Sequence, residues 1–268
     1  MPLIADSDIE AAPPECFPVI RYDDSLAQQV RFALIGGYNP IEACQSIRPT
    51  GTIGGVEVTA GGLAYVAPSS VKTTWPANIP SLDPYLSGSF TVMWYGVLRA
   101  NALGHLLVYL GGYGWRLSTN SWAPGALLLE LGAEWRGGGP QAVVAVTDNT
   151  LHSVIARYNE PTATTDIFLD GVRVLSGGAF TKDPGAVSSG SFYMVDLSAG
   201  GTPHKMLTTQ AFAGNLNAKQ VAILVDNPYH VFDDNERSLW VPGGGVTAPA
   251  FQAAWARNSN AILTGTIQ

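Results

Sequence analysis

At 268 residues the chain is long enough for one large β domain or two small ones, and its 46% apolar share and seven Trp can fill a real core. Charged residues make up only 13%, against roughly a quarter in ordinary soluble proteins. The formal net charge of -7, with no cluster of Lys or Arg, argues against a nucleic-acid partner, whose phosphates demand grouped cations. Thirty Gly and eighteen Pro predict many turns, and the low charge suits a long-lived particle or extracellular protein with buried subunit contacts. The start, Met1-Pro2-Leu3-Ile4-Ala5-Asp6, has no basic region and no apolar run, so no signal peptide is expected. No stretch approaches the roughly 18 apolar residues of a membrane span, so membrane insertion is not expected and synthesis is placed in a cytoplasm.

Residues 1–19 are acidic and Pro-rich and should form an extended arm without a core of its own. A first strand is expected from Val30, where apolar and polar residues alternate with period two. Further strand candidates follow at Thr52–Thr59 and Gly62–Val66, each preceded by glycine. Phe90–Leu98 (Phe-Thr-Val-Met-Trp-Tyr-Gly-Val-Leu) is the clearest strand, rich in β-branched and aromatic residues. Leu106–Leu110, Tyr113–Ser118, Ala126–Leu131, Ala142–Thr147, His152–Tyr158, Thr165–Leu169, Val172–Leu175, Ser191–Val195 and Thr208–Ala213 continue the series. Phe168-Leu169-Asp170-Gly171-Val172 places Asp-Gly between apolar residues, a strong hairpin signal. So many short strands with a single late helix predict a β-sandwich. Trp94 and Phe168 are expected to point into it.

The late helix is Leu216–Val225. It must stop at Asn227, because Pro228 drives the preceding residue out of the helical region. Asn227-Pro228-Tyr229-His230-Val231-Phe232 then makes a turn that frees Phe232 and Trp240 to fold back as apolar anchors, and Phe232 is expected to be buried. After Pro242-Gly243-Gly244-Gly245, a linker, residues 248–256 suggest a short helix with Phe251 and Trp255 on one face. Ala261–Ile267 is an edge-strand candidate.

In its order of events, this chain resembles the laminin-G-like (concanavalin A-like) jelly-roll module of tailed-bacteriophage virion proteins. The likeness rests on the Asp24–Leu34 opening, the Asp-Gly hairpin after a strand like His152–Tyr158, the late helix, the Asn-Pro-aromatic turn and the exit run Leu239-Trp240-Val241-Pro242. It covers about residues 24–242. The resemblance implies a non-enzymatic structural subunit of a phage particle: a head decoration, head fibre or tail-associated protein, localised to the virion. Its partners would be other copies of itself and other virion proteins. The alternative is a carbohydrate-binding module for host-surface attachment on a tail fibre.

Candidate chemistry is sparse. Glu130 and Glu134 would share a face of a straight strand roughly 13 Å apart. Glycosidases need about 5 Å, or roughly 6.5–9.5 Å, between their two carboxyl groups. A solvated turn edge is the simpler reading, and no catalytic residue is assigned. His105, His152, His204 and His230 have no metal-cluster spacing, and His230 reads as a packing and hydrogen-bonding residue. Asp148, Asn149, Asn159, Glu160 and Asp166 offer loop oxygens for calcium, yet they favour turns for local reasons too. No metal or cofactor is assigned. Whether Cys16 and Cys44 are bonded stays open.

The binding signal is aromatic. Tyr113 and Trp115 flank Gly114, Trp122 lies in Asn120-Ser121-Trp122-Ala123-Pro124, and Trp135 precedes Arg136 and three glycines. As loop residues these would stack on sugars; otherwise they cap the core or fill a subunit interface. The domain expectation is an N-terminal arm (1–19), a jelly roll (20–242) and a C-terminal assembly tail (243–268). Ile4, Ile9, Phe17, Phe251, Trp255, Ile262, Leu263 and Ile267 have little local core and are the expected assembly contacts.

Overall fold

The computed structural model describes residues 20–36, 43–44, 55–59, 62–66, 72–74, 88–98, 104–110, 115–123, 126–133, 141–145, 150–179, 191–195 and 204–232. The strands are β1 (Val30–Ile35), β2 (Gly55–Thr59), β3 (Gly62–Val66), β4 (Lys72–Thr74), β5 (Phe90–Leu98), β6 (Gly104–Leu110) and β7 (Trp115–Ala123). They continue as β8 (Ala126–Ala133), β9 (Gln141–Ala145), β10 (Thr150–Asn159), β11 (Thr164–Leu169), β12 (Val172–Ala179), β13 (Ser191–Val195) and β14 (Lys205–Ala213). Helix α1 is Ala218–Asp226. An eight-stranded sheet runs β12-β11-β10-β5-β14-β3-β2, with β1 sharing the β14 edge with β3, and a six-stranded sheet runs β4-β13-β6-β7-β8-β9. Every pairing described is antiparallel.

The core has two layers. Between the sheets, Phe32, Leu34, Phe90, Val92 and Trp94 of the large sheet meet Leu117, Leu129, Leu131 and Val144 of the small one. On the other face of the large sheet, Met93, Tyr95, Ile155, Phe168 and Phe212 lie beneath Val221 and Leu224 of α1, together with Ile20, Leu26, Tyr229 and Phe232. Strand β5 is therefore covered on both sides, and all nine of its positions are buried. That is why it reads as a continuous apolar run rather than an alternation. Its polar Thr91 is satisfied locally, donating to Gly214 O and accepting from Leu216 N.

Phe168 departs from expectation. It is buried, but beneath α1 and not between the sheets. Alternation along β11 sets this: Ile167 takes the inter-sheet face, Leu169 packs against the same cluster, and Phe168 between them faces the other way. The hairpin itself forms as the sequence predicts. Asp170 (φ 50) and Gly171 (φ 80) are both left-handed, as a type I′ turn requires, and Leu169 pairs with Val172.

The segment after β14 is stapled down. Helix α1 opens two residues later than the sequence predicts, because Asn217 caps it. Its side chain accepts from Gln220 N at 3.0 Å, while Gln220 accepts from Asn217 N at 2.9 Å. Asn227 is extended, as the residue before proline must be, and its Oδ1 accepts from Tyr229 N at 3.1 Å. Gln210 of β14 donates to Pro228 O at 2.6 Å, and Tyr229 meets Tyr95 edge-on with centroids 6.2 Å apart. Phe232 is 1% exposed and bridges Ile20, so this turn closes the start of the fold onto its end.

Candidate functional site

Strand β7 carries two of the four aromatic residues assigned to glycan binding. Trp115 opens it, in register with Tyr109 of β6 and Ala133 of β8, and Trp122 sits near its end, where the pairing with β8 slips between Ser121 and Ala123. Trp122 was expected on a loop, and the structure corrects this; Trp115 falls within the expected Tyr113–Ser118 strand and lies in β7. The polar run Asn120-Ser121 resembles a turn, yet it pairs with Leu128 and Leu127 inside a β-ladder. Tyr113 and Trp135 lie outside the described residues. So do all the terminal assembly candidates: Ile4, Ile9, Phe17, Phe251, Trp255, Ile262, Leu263 and Ile267.

Alternation along β7, β8 and β9 assigns the faces of the small sheet. Leu117, Thr119, Leu129, Leu131, Ala142 and Val144 are buried, and five of these six belong to the inter-sheet core. Thr119 also faces inward, its Oγ1 lying 2.7 Å from His204 Nε2 at the start of the large sheet's β14. His204 in turn stands edge-on to Trp94 at 6.1 Å. The intervening positions Arg116, Ser118, Gln141, Val143 and Ala145 belong to the opposite, outward face. There Gln141, Val143 and Ala145 are exposed, with Val143 at 55%. The register sets His105, Ser118, Glu130 and Gln141 in one cross-strand row on β6, β7, β8 and β9. Glu130 is therefore not at a turn edge but within β8, between Ser118 and Gln141. Glu134 lies outside the described residues.

The remaining polar candidates serve the fold. Asp166 lies within β11 rather than on a loop. It accepts from Arg157 and from Gly177 N, and Arg173 stands 4.0 Å away. Burial would raise its carboxyl, but the Gly177 amide, Arg157 and Arg173 outweigh burial and hold it below the usual carboxylate value. Arg157 also lies over the Phe168 ring at 4.9 Å and donates to Leu216 O, tying β10 to the entry of α1. A calcium role for Asp166 is thus replaced by two guanidinium partners. Asn159 ends β10 and Glu160 opens the turn that follows, where Asn159 donates to Thr162 Oγ1 at 2.8 Å. Asp148 and Asn149 are outside the described residues, and among the described ones no group of three His, Cys, Asp or Glu is placed to hold a metal.

His152 Nδ1 pairs with Asp170 Oδ2 at 2.7 Å, pinning the hairpin that also receives Ser153 N. His230 Nε2 stands 3.4 Å from Asp24, whose other oxygen caps the Ala27–Gln29 turn by accepting from Leu26 N and Ala27 N. Cys44 is half-buried, and Cys16 is outside the described residues. Beside α1, Phe168, Gly171, Val221, Ala222 and Val225 line an open apolar groove of about 420 Å³.

The Asp166 environment predicts an acid limb of stability. Its folded pKa is depressed, so its contribution is complete above the unfolded value of about 4 and is lost as pH falls through the folded value. Asp166→Asn should cost about 2 kcal/mol at pH 7 by leaving the Arg157 cation unpaired. Urea titrations from about pH 7 to pH 2 should show the gap between wild type and variant constant above pH 5 and closing below pH 4. A gap independent of pH would rule out the ion pair as its source.

No protein-family model matches the chain, and no curated protein sequence matches it. Solved structures do share its fold. It is similar to the binding domain of Paraclostridial Mosquitocidal Protein 1 at TM-score 0.54 and 12% identity, over 76% of this chain and 53% of that one. It is similar to a structure of botulinum neurotoxin type C, whose cell entry depends on interaction with two ganglioside molecules, at TM-score 0.52 and 11% identity, over 75% and 51% of the two chains. It is also similar to a mutant of Trypanosoma rangeli sialidase displaying trans-sialidase activity, at TM-score 0.55 and 12% identity, over 77% and 34%. The chain thus spans about half the length of the toxin chains and a third of the sialidase. At such identities the likeness shows the fold: an all-β, concanavalin A-like (laminin-G-like) jelly-roll sandwich with one short helix following the last described strand.

Proposed function

We propose that the chain is a non-enzymatic carbohydrate-binding protein whose sandwich attaches a larger assembly to a glycan-bearing surface. The observation that carries this reading is the outward face of the small sheet. It presents Gln141 and Val143 to solvent, a polar amide beside an apolar side chain. Sugars are held by such pairings of apolar surface and hydrogen-bonding groups. The toxin binding domain and the ganglioside-dependent toxin that share the fold support the same reading. A printed glycan array followed by calorimetric titration tests it, with a polysaccharide-cleavage assay alongside. Saturable binding without cleavage is the expected result. Cleavage would make the protein an enzyme, and silence in both assays would end the carbohydrate reading.

A second reading, as a structural subunit of a tailed-phage particle, is favoured by the Asn227–Phe232 staple, which forms as the phage-module resemblance implies. On this reading the arm (1–19) and tail (243–268) bind other copies and other virion proteins. A chain of residues 20–242 should then stay soluble and fold cooperatively, yet fail to oligomerise or join particles. Full oligomerisation and incorporation of that shortened chain would remove the termini from the assembly.

A further inference from the structure

Helix α1 uses one side to cover the large sheet. Val221 and Leu224 are buried, while Ala218, Ala222 and Asp226 are exposed. Ala218, Ala222 and Val225 follow one another at helical spacing along the wall of the groove, and Phe168 and Gly171 of the β11–β12 hairpin line its other side. The two walls nearly touch at one end, where a Cβ added to Gly171 would stand 3.4 Å from Val225. The volume of about 420 Å³ falls in the range of about 300–1,000 Å³ in which a compact apolar group buries most of its surface. Among the described residues that line the groove, only Asp226 is charged. It ends α1, where the helix's own negative pole adds to it and the last turn holds no basic residue.

We infer that this groove is the seat of the chain's own segment 248–256, docked within one molecule, with Phe251 and Trp255 in the groove and Arg257 on Asp226. Phe251 and Trp255 stand four residues apart, the spacing that puts two rings on one side of a helical turn, and alanines separate them from the rest. Arg257 is the only charged side chain between Pro242 and Gln268, so the tail's one cation matches the groove's one anion. The path is short. Phe232 lies in the same cluster as Val221 and Leu224, so the described chain ends in the layer of α1 itself. Phe251 follows nineteen residues later. Such a link reaches up to about 60 Å, several times the roughly 14 Å length of a nine-residue helix. A flexible tether of this kind, with Gly243, Gly244 and Gly245 in it, holds the segment at roughly millimolar effective concentration. A second copy at ordinary concentrations competes poorly against that. Phe251 and Trp255 would then leave the assembly contacts, whichever function the sandwich serves, and Ile262, Leu263 and Ile267 would remain.

Fluorine NMR of full-length protein carrying fluorotryptophan reads the docking, the Trp255 line being assigned by its loss in Trp255→Phe. In the wild type this line should not respond to exchange of ordinary for heavy water, as befits a ring out of contact with solvent. It should stay so on dilution far below the roughly millimolar effective concentration of the tether. Ala222→Gln sets a longer, polar side chain at an exposed position of the groove wall and should make the line respond, with the circular dichroism of the fold unchanged. Asp226→Lys and Arg257→Asp should each weaken docking by about two- to fivefold, the worth of an exposed ion pair, and the two together should restore it. Lys219→Ala, on the same helix but outside the groove lining, should change nothing. A wild-type Trp255 line that responds to heavy water overturns the proposal. A shielded line indifferent to Ala222→Gln and to both charge reversals also overturns it, since the segment would then sit elsewhere. A line shielded only when copies associate, in step with sedimentation, would give the groove to a second copy's tail and end the assignment within one molecule.

Discussion

Trp94→Ala should lower stability by about 3–5 kcal/mol, the loss seen when a buried aromatic is cut to a methyl group. Trp94 is 2% exposed, sits at the centre of β5 between the two sheets and meets His204 edge-on. Both neighbours of β5 in the sheet are long strands, β10 and β14, whose backbones are held in register on either side. They cannot collapse into the space, so the residual cavity adds to the lost transfer energy. Against a total of about 5–15 kcal/mol this is a large fraction. The melting temperature should fall by about 10 °C, and Trp94→Phe should recover part of it. An unchanged melting curve for Trp94→Ala would mean that the Trp94 ring does not lie between the sheets.

The strands with one periodic or continuous apolar signal were legible, and those held by long-range pairing were not. Phe90–Leu98, Gly62–Val66 and Ser191–Val195 have the same limits in sequence and structure. Lys72–Thr74 gives no sequence signal, because a three-residue polar strand exists only through its partner β13. Strand β7 continues past Ser118 through Thr119, Asn120 and Ser121 for the same reason. Helix α1 ends within one residue of the expected Asn-Pro stop, and its start moved by two, because the reciprocal Asn217–Gln220 cap needs both side chains to be seen.

The site was less legible than the fold. Trp122 drew attention to the end of β7, but as a loop residue. Asp166 was misread because a lone Asp in a sequence does not reveal that Arg157 lies across from it on β10. Both errors have one physical origin. Cross-strand neighbours are set by register, and register is a property of the whole sheet.

Gly96→Ala is expected to be more damaging than its single added methyl suggests. Gly96 lies in β5 opposite Met206 of β14 and His152 of β10. A Cβ there would fall deep inside the contact distance of Lys205 O and 2.8 Å from Trp94 Cη2. The ring tip has some freedom to move, but the carbonyl belongs to the β14 backbone, so relief requires β5 and β14 to part at this point. Glycine in a central strand commonly marks such a close approach. Overpacking of this kind costs about 1–3 kcal/mol, and the backbone clash should put Gly96→Ala at or above the upper end. Gly88→Ala is the matched control, since nothing lies within 4 Å of its added Cβ, and it should melt like the wild type. Combining Gly96→Ala with Trp94→Leu separates the two obstacles. If the ring were the main one, the double variant would be more stable than the sum of the single losses predicts by roughly the whole glycine penalty. The geometry predicts only a small recovery, because Lys205 O remains in the way. A Gly96→Ala protein with wild-type stability would show that β5 and β14 are not packed this closely.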